Sequence, residues 1–472
     1  MSEYFFEDIY PGLNAKIKLY SKTDEYICKI DIEVNDIKKN TSYFFVLIQN
    51  NTNIELIDNN GNHICSLDTL VINDSKSLEQ IAKIVITTCI YTFNIININH
   101  ETETISNEEP LIRPCYIHYF QNEMYPTGFT GYSPSQIQSA YNVNPRLSSL
   151  INKPIITIVI AYSYPDLQND FNTFCKLFNL PPSKLKIATL DRLKTQDPGW
   201  AAEECLDVQW AYAMNPNAII QVVEAISNSY EDMFSAVRYA SNPPPGSNLL
   251  KPHIISMSWG APEFSSQLNY EKYFSDKSIC YIAATGDNNF GCYPSTSPRV
   301  LAVGGTSLSL NYNNKRLKET TWTSAGCGIS SVFLKPSYQK DIKPINKYSK
   351  RVIPDISGVA SASTGVSVVY KQKQIIVGGT SVSTPIMAGI LSIPFSKRQE
   401  LKKSSFTTIN NLSNNLQSVL YSLYKNNTIY NKNFYDIKIG YDGNFTASEG
   451  IDVATGLGVM NGVEITKSLI NV

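Results

Sequence analysis

The sequence predicts an α/β fold, in which a mostly parallel sheet carries helices on both faces, preceded by a smaller α+β domain. From Tyr132 onward, short apolar runs alternate with helix-like segments, which is typical of a buried parallel sheet. Before that point the chain is rich in Asn, Ile, Lys and Tyr and alternates like separate strands. We therefore place an N-terminal domain at residues 1–110, a linker or activation region at 111–131 and the large domain at 132–472.

The N-terminal domain is predicted to be mainly strands followed by one helix. Apolar residues alternate with polar ones, and the Asn59-Asn60-Gly61-Asn62 turn indicates a hairpin. The predicted elements are strands at 16–19, 27–32 and 43–48, a hairpin over 54–65 and a helix over 77–93. A polar stretch at 100–110 is typical of a linker.

In the large domain, capping residues and apolar runs predict the elements in order. Ser133-Pro134 and Asp197-Pro198 are start signals for two helices. The helices are predicted at 133–140, 166–178, 197–214, 229–241 and 385–393, and the strands at 155–160, 218–223, 253–257, 279–284 and 300–303. In parallel sheets, catalytic groups gather on loops at the carboxyl ends of strands, where Asp287 and the residues after Met257 lie.

Composition excludes several classes of protein. The chain has 472 residues, 43% of them hydrophobic, and its 40 Lys+Arg and 41 Asp+Glu give a net charge of -1. That balance predicts no nucleic-acid partner and no polybasic membrane contact, and the apolar content excludes disorder along the whole chain. The N-terminus is acidic and lacks an apolar leader-like run, and residues 81–98 are too polar to span a membrane. Its location is unknown: intracellular, or an acidic compartment reached by another route.

Nine cysteines are spread along the chain without a CxxC pair or a Cys/His cluster. This pattern excludes a zinc module and a dense disulfide scaffold. Each thiol is best interpreted as a small buried apolar group, although the sequence leaves a single Cys280–Cys292 bridge open.

One serine stands out as a candidate nucleophile. In Gly378-Gly379-Thr380-Ser381, two glycines permit a tight turn, and Ser381 follows at the mouth of an apolar helix, where backbone amides favour an oxyanion. A serine that only caps the helix fits the motif as well. Of the four histidines, only His253 lies in the α/β region, and it begins a buried strand, so a Ser-His-Asp triad has no suitable base.

Two acids offer another base. Glu203 and Asp207 are four residues apart on the helix predicted at 197–214, so both carboxylates lie on one face of a largely apolar helix. Buried acids so close together are costly unless they share a proton. A solvated acidic face is the alternative, and Glu204, three residues before Asp207, competes with Glu203 as its partner.

These residues occur in motifs that resemble those of the sedolisins, the serine-carboxyl peptidases of subtilisin-like fold. The resemblance covers about residues 120–472. It rests on these segments in order: Tyr132-Ser133-Pro134, Glu203-Glu204-Cys205-Leu206-Asp207, Ser256-Met257-Ser258-Trp259-Gly260, Ala284-Thr285-Gly286-Asp287, Ala302-Val303-Gly304-Gly305-Thr306, Pro354-Asp355-Ile356 and Gly379-Thr380-Ser381. It implies Ser381 as nucleophile, Glu203 as general base, Asp207 as the acid that orients it, and Asp287 as oxyanion donor.

The resemblance also implies a substrate-binding edge and a metal. Ser258, Trp259 and Gly260 resemble the segment that pairs with extended substrate backbone, although a plain strand-end turn would look the same. The C-terminal acids resemble the family's calcium loop, whereas from chemistry alone a generic loop is the better interpretation. The implied ligands of one structural Ca²⁺ are the side chains of Asp436 and Asp452 and the carbonyls of Ile437, Ser448 and Gly450.

Taken together, the sequence predicts a monomeric serine-carboxyl peptidase, an endopeptidase or tripeptidyl peptidase active at acidic pH on peptides or unfolded proteins. The rival hypotheses are a catalytically silent scaffold and a serine esterase, which lacks a Gly-x-Ser-x-Gly motif here. Residues 1–110 are a pro-domain, a targeting or binding module, or an unrelated unit. We expect residues 1 to about 120 to restrain a zymogen and to be removed by cleavage between His100 and Gly131.

Overall fold

The computed structural model describes residues 110–120, 130–403 and 416–471 and, in the N-terminal region, the backbone of six strands. The chain divides into two compact units, residues 1–103 and 104–472. The predicted helix at 77–93, the polar stretch at 100–109 and residues 121–129 of the predicted linker lie outside the described residues. Among those described, no helix combines the length and the apolar character needed to cross a membrane.

The six N-terminal strands form one antiparallel meander, β1 to β6 in chain order. The three predicted strands and the predicted hairpin are confirmed, and each element is longer than its apolar core because main-chain pairing continues to the turns. The strands are β1 Ser2–Tyr10, β2 Leu13–Lys22, β3 Glu25–Val34, β4 Thr41–Asn50, β5 Asn53–Ile57 and β6 His63–Asp68.

The second unit is built on an eight-stranded sheet of order β10-β11-β9-β12-β14-β15-β16, with β19 also paired to β15. All its pairs are parallel except β15 with β16. Its strands are β9 Ile155–Ala161, β10 Lys186–Thr189, β11 Ile219–Ala225, β12 Ile254–Met257, β14 Cys280–Ala284, β15 Val300–Leu310, β16 Arg316–Thr321 and β19 Ile356–Val359. The predicted α/β fold with a mostly parallel sheet is confirmed.

Shorter pairings surround this sheet. They are β7 Arg113–Pro114 with β13 Trp259–Gly260, β17 Gly328–Leu334 with β18 Lys350–Ile353, β20 Val366–Tyr370 with β21 Lys373–Gly378 and β8 Ile117–Phe120, and β22 Phe434–Tyr435 with β23 Val459–Met460. The described helices are α1 Pro134–Ala140, α2 Leu167–Leu177, α3 Pro198–Met214, α4 Tyr230–Ser241, α5 Thr380–Glu400, α6 Leu416–Tyr424, α7 Asn427–Asn433 and α8 Gly462–Asn471.

Two buried helices cross beneath the sheet and set the positions of the candidate catalytic groups. Helix α3 begins where the Asp197 carboxylate accepts a hydrogen bond from the Trp200 amide at 2.9 Å, and Pro198 occupies its first turn. Gly389 of α5 lies against α3, because a Cβ there would stand 2.6 Å from the carbonyl oxygen of Ala211. This close crossing brings the start of α5 next to the acidic face of α3.

Candidate active site

Ser381 is the second residue of α5 and is fully buried. The residue before the helix, Gly379, has φ 112°, a backbone conformation that favours glycine. A Cβ on Gly379 would stand 2.4 Å from the carbonyl oxygen of Cys115 and 2.7 Å from Oδ2 of Asp287. Glycine therefore lets another segment of the chain approach the start of this helix closely.

Glu203 and Asp207 face Ser381 from helix α3, and both are fully buried. Burial raises the pKa of Glu203 well above its usual range, and the Asp207 charge raises it further, while the nearby Ser381 hydroxyl lowers it. Neither Glu203 oxygen has a hydrogen-bond partner among the described residues, since the Ser381 hydroxyl donates instead to the Ser258 carbonyl at 2.9 Å. The Glu203 carboxyl is therefore close to the serine but not hydrogen-bonded to it.

Asp207 is held by the residue that begins the predicted substrate edge. Its Oδ1 accepts a hydrogen bond from the Ser258 hydroxyl at 2.6 Å, while Oδ2 has no partner among the described residues. Burial raises the pKa of Asp207 well above its usual range. Two buried carboxyls whose pKa values are both raised hold a proton in common more readily than they hold two charges.

Glu204 points to a different neighbour. Burial raises its pKa, and the next largest contribution comes from the charge of Glu224 on β11, with which it also shares a hydrogen bond. Glu224 in turn accepts a hydrogen bond from the Thr189 hydroxyl. The helical spacing left Glu203 and Glu204 as competing partners of Asp207, and the fold brings Glu203 to the serine and Glu204 to the sheet.

Asp287 stands on the other side of Ser381, at the carboxyl end of β14. Its Oδ1 accepts hydrogen bonds from the Thr380 amide and hydroxyl, both at 2.8 Å, and its buried Oδ2 has no partner among the described residues. Burial raises the pKa of Asp287 to about 7, although the Thr380 hydrogen bonds oppose the shift. A carboxyl that stays protonated up to that pH is a hydrogen-bond donor, and its free oxygen and the Cys115 carbonyl oxygen both lie within 2.7 Å of where a Cβ on Gly379 would stand.

The segment that lies across Ser381 is the chain's own. Arg113–Pro114 pairs antiparallel with Trp259–Gly260, the predicted substrate edge. The Cys115 amide donates to the Ser258 carbonyl at 3.1 Å and is 3.1 Å from the Ser381 hydroxyl, and the Cys115 carbonyl accepts from the Ser381 amide at 2.9 Å. Arg113 to Cys115 therefore lie as an extended strand, and its Cys115 carbonyl faces Ser381, the predicted nucleophile.

The same strand continues past the serine. Ile117 pairs with Gly378 at the end of β21, and Phe120 pairs with Ile375, so that the segment is paired on both sides of the Cys115–Tyr116 bond. The Tyr116 hydroxyl donates to the Gly199 carbonyl at 2.7 Å, in the first turn of α3. The segment therefore crosses Ser381 in extended form, with the Cys115–Tyr116 bond beside the Ser381 amide.

The predicted calcium ligands gather in one loop. Asp436 Oδ2 accepts from the Gly450 amide at 2.9 Å, and Asp452 accepts from the Ser448 amide at 2.8 Å. The carbonyl oxygens of Ile437, Ser448 and Gly450 accept no hydrogen bond from the described residues. Burial raises the pKa of Asp452 to about 6, and the Asp436 charge raises it further.

Two carboxylates and three unused carbonyls are oxygen donors of the kind that Ca²⁺ takes, so these residues fit the ion that the sequence predicts. Within the described ranges, no cluster of three or more His, Cys, Asp or Glu side chains could hold a metal. Most of the donors in such a loop would therefore be backbone oxygens.

Sequence reasoning missed the parts of the site that come from the predicted linker. Cys115 and Tyr116 carry no motif, and only their position just upstream of Tyr132 hints at a role. The Cys280–Cys292 bridge that the sequence left open does not form, since both residues are free buried thiols. His253 is structural, because its Nδ1 accepts a hydrogen bond from the Ile155 amide at 3.1 Å.

Comparisons with known proteins first define the class. Residues 213–425 match the model of the subtilase family of peptidases. The fold is similar to that of Pseudomonas sedolisin, a serine-carboxyl proteinase solved with pseudo-iodotyrostatin, with a TM-score of 0.60 and 19% identity over 72% of this chain and 98% of that one. The subtilisin-like fold predicted from the sequence is thereby confirmed.

Sequence relatives narrow the class. The chain is 33% identical to kumamolisin of Bacillus sp. (strain MN-32) over 42% of this chain and 40% of the relative. It is 28% identical to tripeptidyl-peptidase 1 of Dictyostelium discoideum over 63% of this chain and 52% of the relative. The chain thus matches about half the length of these curated relatives or less. The sequence and the fold are thus similar to those of kumamolisin, tripeptidyl-peptidase 1 and sedolisin, which supports the resemblance to the sedolisins seen in the sequence.

Proposed function

We propose that this chain is a serine-carboxyl peptidase that hydrolyses peptide bonds through an acyl-enzyme intermediate. The observation that carries the proposal is the substrate-like strand across Ser381, whose Cys115 carbonyl accepts a hydrogen bond from the Ser381 amide at 2.9 Å. The direct experiment is hydrolysis of an unstructured peptide near pH 4 after acid incubation, with labelling of Ser381 by a fluorophosphonate probe. Hydrolysis and labelling support a peptidase, whereas a silent scaffold gives neither.

The proposed steps use groups already in place. Ser381 attacks the carbonyl carbon and passes its proton to Glu203, which Asp207 orients and with which it shares a proton. The developing oxyanion is held by the Ser381 amide and by protonated Asp287, whose Oδ2 is unpaired. Glu203 then returns the proton to the leaving amine, and water completes the cycle through the same base.

The paired strand favours an endopeptidase over a tripeptidyl peptidase. The chain continues upstream of Arg113, where the Ile112 amide donates to the Asn228 carbonyl at 3.1 Å and the Asn228 side chain donates back to the Ile112 carbonyl at 2.9 Å. A tripeptidyl peptidase binds the free N-terminus of its substrate three residues before the bond that it cleaves, so its cleft must end at that distance. Here the cleft accepts a fourth residue and the chain beyond it, so internal bonds of peptides or unfolded proteins are the proposed substrates.

We predict that activity falls as pH rises through about 7. Burial holds the pKa of Asp287 near that value, so the protonated donor is present below it and is lost above it, where a negative charge replaces the donor. A single titrating group gives a tenfold loss of kcat/KM for each pH unit above its pKa. The measurement is a pH–rate profile of the activated enzyme.

The matched control for this pH dependence is Asp287→Asn, whose amide donates a hydrogen bond at every pH. The variant should lose activity at acidic pH but lack the fall near pH 7. If its profile keeps the same fall, then Glu203 and Asp207 cause it and the proposed role of Asp287 is wrong.

We predict that one calcium ion stabilises the C-terminal loop through Asp436, Asp452 and the carbonyls of Ile437, Ser448 and Gly450. A ligand present at a hundred times its Kd adds about 2.7 kcal/mol to the free energy of unfolding. Chelation should therefore lower Tm by several degrees in the wild type and by little in Asp452→Asn. Glu449→Gln is the control, since that carboxylate lies in the same loop but is 83% exposed. An unchanged Tm on chelation of the wild type contradicts the site.

We propose that the upstream segment restrains the enzyme as a zymogen. Arg113 to Tyr116 occupy the cleft through main-chain bonds, so an added peptide competes with a strand at very high effective concentration. Freshly purified protein shifted to pH 4 should hydrolyse an added peptide only after a lag. Full activity of the uncleaved 472-residue chain from the first time point would contradict the restraint.

A further inference from the structure

On the proposed mechanism, Cys115 is the acyl-side residue of the bond that Ser381 attacks, and the pocket around its side chain is the S1 pocket. Only 8% of Cys115 is exposed, and its side chain packs against Ala284 and Cys292. The thiols of Cys115 and Cys292 are within hydrogen-bonding reach of one another. The acyl-side residue, the one whose carbonyl faces Ser381, is therefore in contact with Cys292 at the end of its side chain.

Cys292 is wedged between the two walls of this pocket. A Cβ on Gly260, in the edge strand, would stand 2.3 Å from the Cys292 sulfur, and a Cβ on Gly286, after β14, would stand 3.5 Å from it. The thiol also donates a hydrogen bond to the Ala284 carbonyl at 3.4 Å. The sulfur thus fills the space that the missing side chains of the two glycines leave open.

Backbone hydrogen bonds hold Cys292 in position. The Cys292 amide donates to the Thr285 carbonyl at 3.0 Å, and the next residue, Tyr293, exchanges two backbone hydrogen bonds with Ala261, of 3.0 and 2.9 Å. These hydrogen bonds hold the backbone of both Cys292 and Tyr293. A longer side chain on the acyl-side residue therefore cannot push Cys292 aside. The pocket depth is therefore set by the Cys292 side chain.

We propose that Cys292 determines specificity, by closing the S1 pocket so that the enzyme selects small acyl-side residues such as alanine, serine and cysteine over leucine or phenylalanine. This inference rests on the proposed peptidase function. A leucine side chain is several carbon atoms too large for a pocket closed in this way, and even one extra methylene group changes kcat/KM by about 10–200-fold.

The kinetic test uses two peptides that share Arg-Pro before and Tyr-Ile after the variable residue, which is alanine in one and leucine in the other. With acid-activated enzyme under reducing conditions, the alanine peptide should have a kcat/KM at least about tenfold higher. Cys292→Gly, which removes both side-chain atoms from the wall, should lower that ratio by about tenfold, with Cys292→Ala between. Cys280 is also a buried thiol and lies on β14, so Cys280→Ala is the control and should leave the ratio unchanged.

A second readout needs no hydrolysis. In the full chain carrying Ser381→Ala, hydrogen exchange measured by mass spectrometry reports how firmly residues 112–116 are held. Cys115→Ala should keep the protection of this segment, Cys115→Leu should lose it, and Cys115→Leu with Cys292→Gly should regain it.

The outcomes separate the two claims. If the activated wild type cleaves neither peptide, the peptidase proposal fails, and the exchange pattern still decides whether the pocket selects by size. If the leucine peptide is cleaved as fast as the alanine peptide, or Cys115→Leu stays as protected as Cys115→Ala, the S1 inference is overturned.

Discussion

Replacing Ser381 with alanine is expected to lower kcat/KM for peptide hydrolysis by at least about 10⁴-fold, while the protein still folds with a Tm no lower than that of Ser383→Ala. Ser381 contacts every other part of the proposed site. Its amide donates to the Cys115 carbonyl, its hydroxyl oxygen lies 3.1 Å from the Cys115 amide, and Glu203 lies beside it. On the proposed mechanism, no acyl-enzyme forms without that oxygen. The comparison is a steady-state assay at acidic pH together with thermal unfolding.

The matched control is Ser383→Ala, in the same turn of α5. The Ser383 hydroxyl is also buried, but it donates to the carbonyls of Gly304 and Thr380, both at 2.9 Å, and so only tethers the helix to the sheet. This variant should keep most of the activity at some cost in Tm. Wild-type turnover by Ser381→Ala would remove it as the nucleophile.

Replacing Glu203 with glutamine is expected to cost about 10²–10⁴-fold in kcat, the usual contribution of a general base. An amide nitrogen cannot accept the serine proton, and it cannot share a proton with Asp207 either. Glu204→Gln is the natural comparison, because the two acids are neighbours on one buried helix but Glu204 interacts with Glu224. Its loss should cost less than about tenfold in activity.

Melting curves of both glutamine variants separate catalysis from folding. Burial raises the pKa of both carboxyls well above their usual range, so each substitution replaces a group that burial already favours in its neutral form, and the two variants should have similar Tm values. Equal losses of activity in the two variants, or a larger loss in Glu204→Gln, would show that the wrong acid was assigned as the base.

Local signals explain why much of the large domain could be predicted from sequence. Asp197-Pro198 starts α3 at the residue that the capping pattern indicates, and the apolar runs became strands of the parallel sheet. The strand after Val300 runs to Leu310, well beyond its predicted end, because its polar second half pairs with β16. Pairing partners far away in sequence extend an element in a way that its own residues do not indicate.

The candidate site residues could be predicted where they follow from helical spacing and motifs. They could not be predicted where they depend on contacts between segments that are far apart in sequence. Spacing allowed either Glu203 or Glu204 to partner Asp207, and only the crossing of α3 and α5 at Gly389 distinguishes them in space. Likewise, nothing in Arg113 to Tyr116 marks them as the strand that fills the cleft. Cys292 fitted the prediction of a small buried residue, and its place between Gly260 and Gly286 emerges only from the fold.

The most direct test of the central claim is the N-terminus that forms when the full chain is held at pH 4. We expect one main cut, between Cys115 and Tyr116, so mass spectrometry should find fragments 1–115 and 116–472, with Tyr116 as the new N-terminus. The chain carrying Ser381→Ala, purified separately, should stay intact under the same conditions. The same cut in Ser381→Ala, or a wild-type chain that is active on added peptide but intact at this bond, would contradict the account.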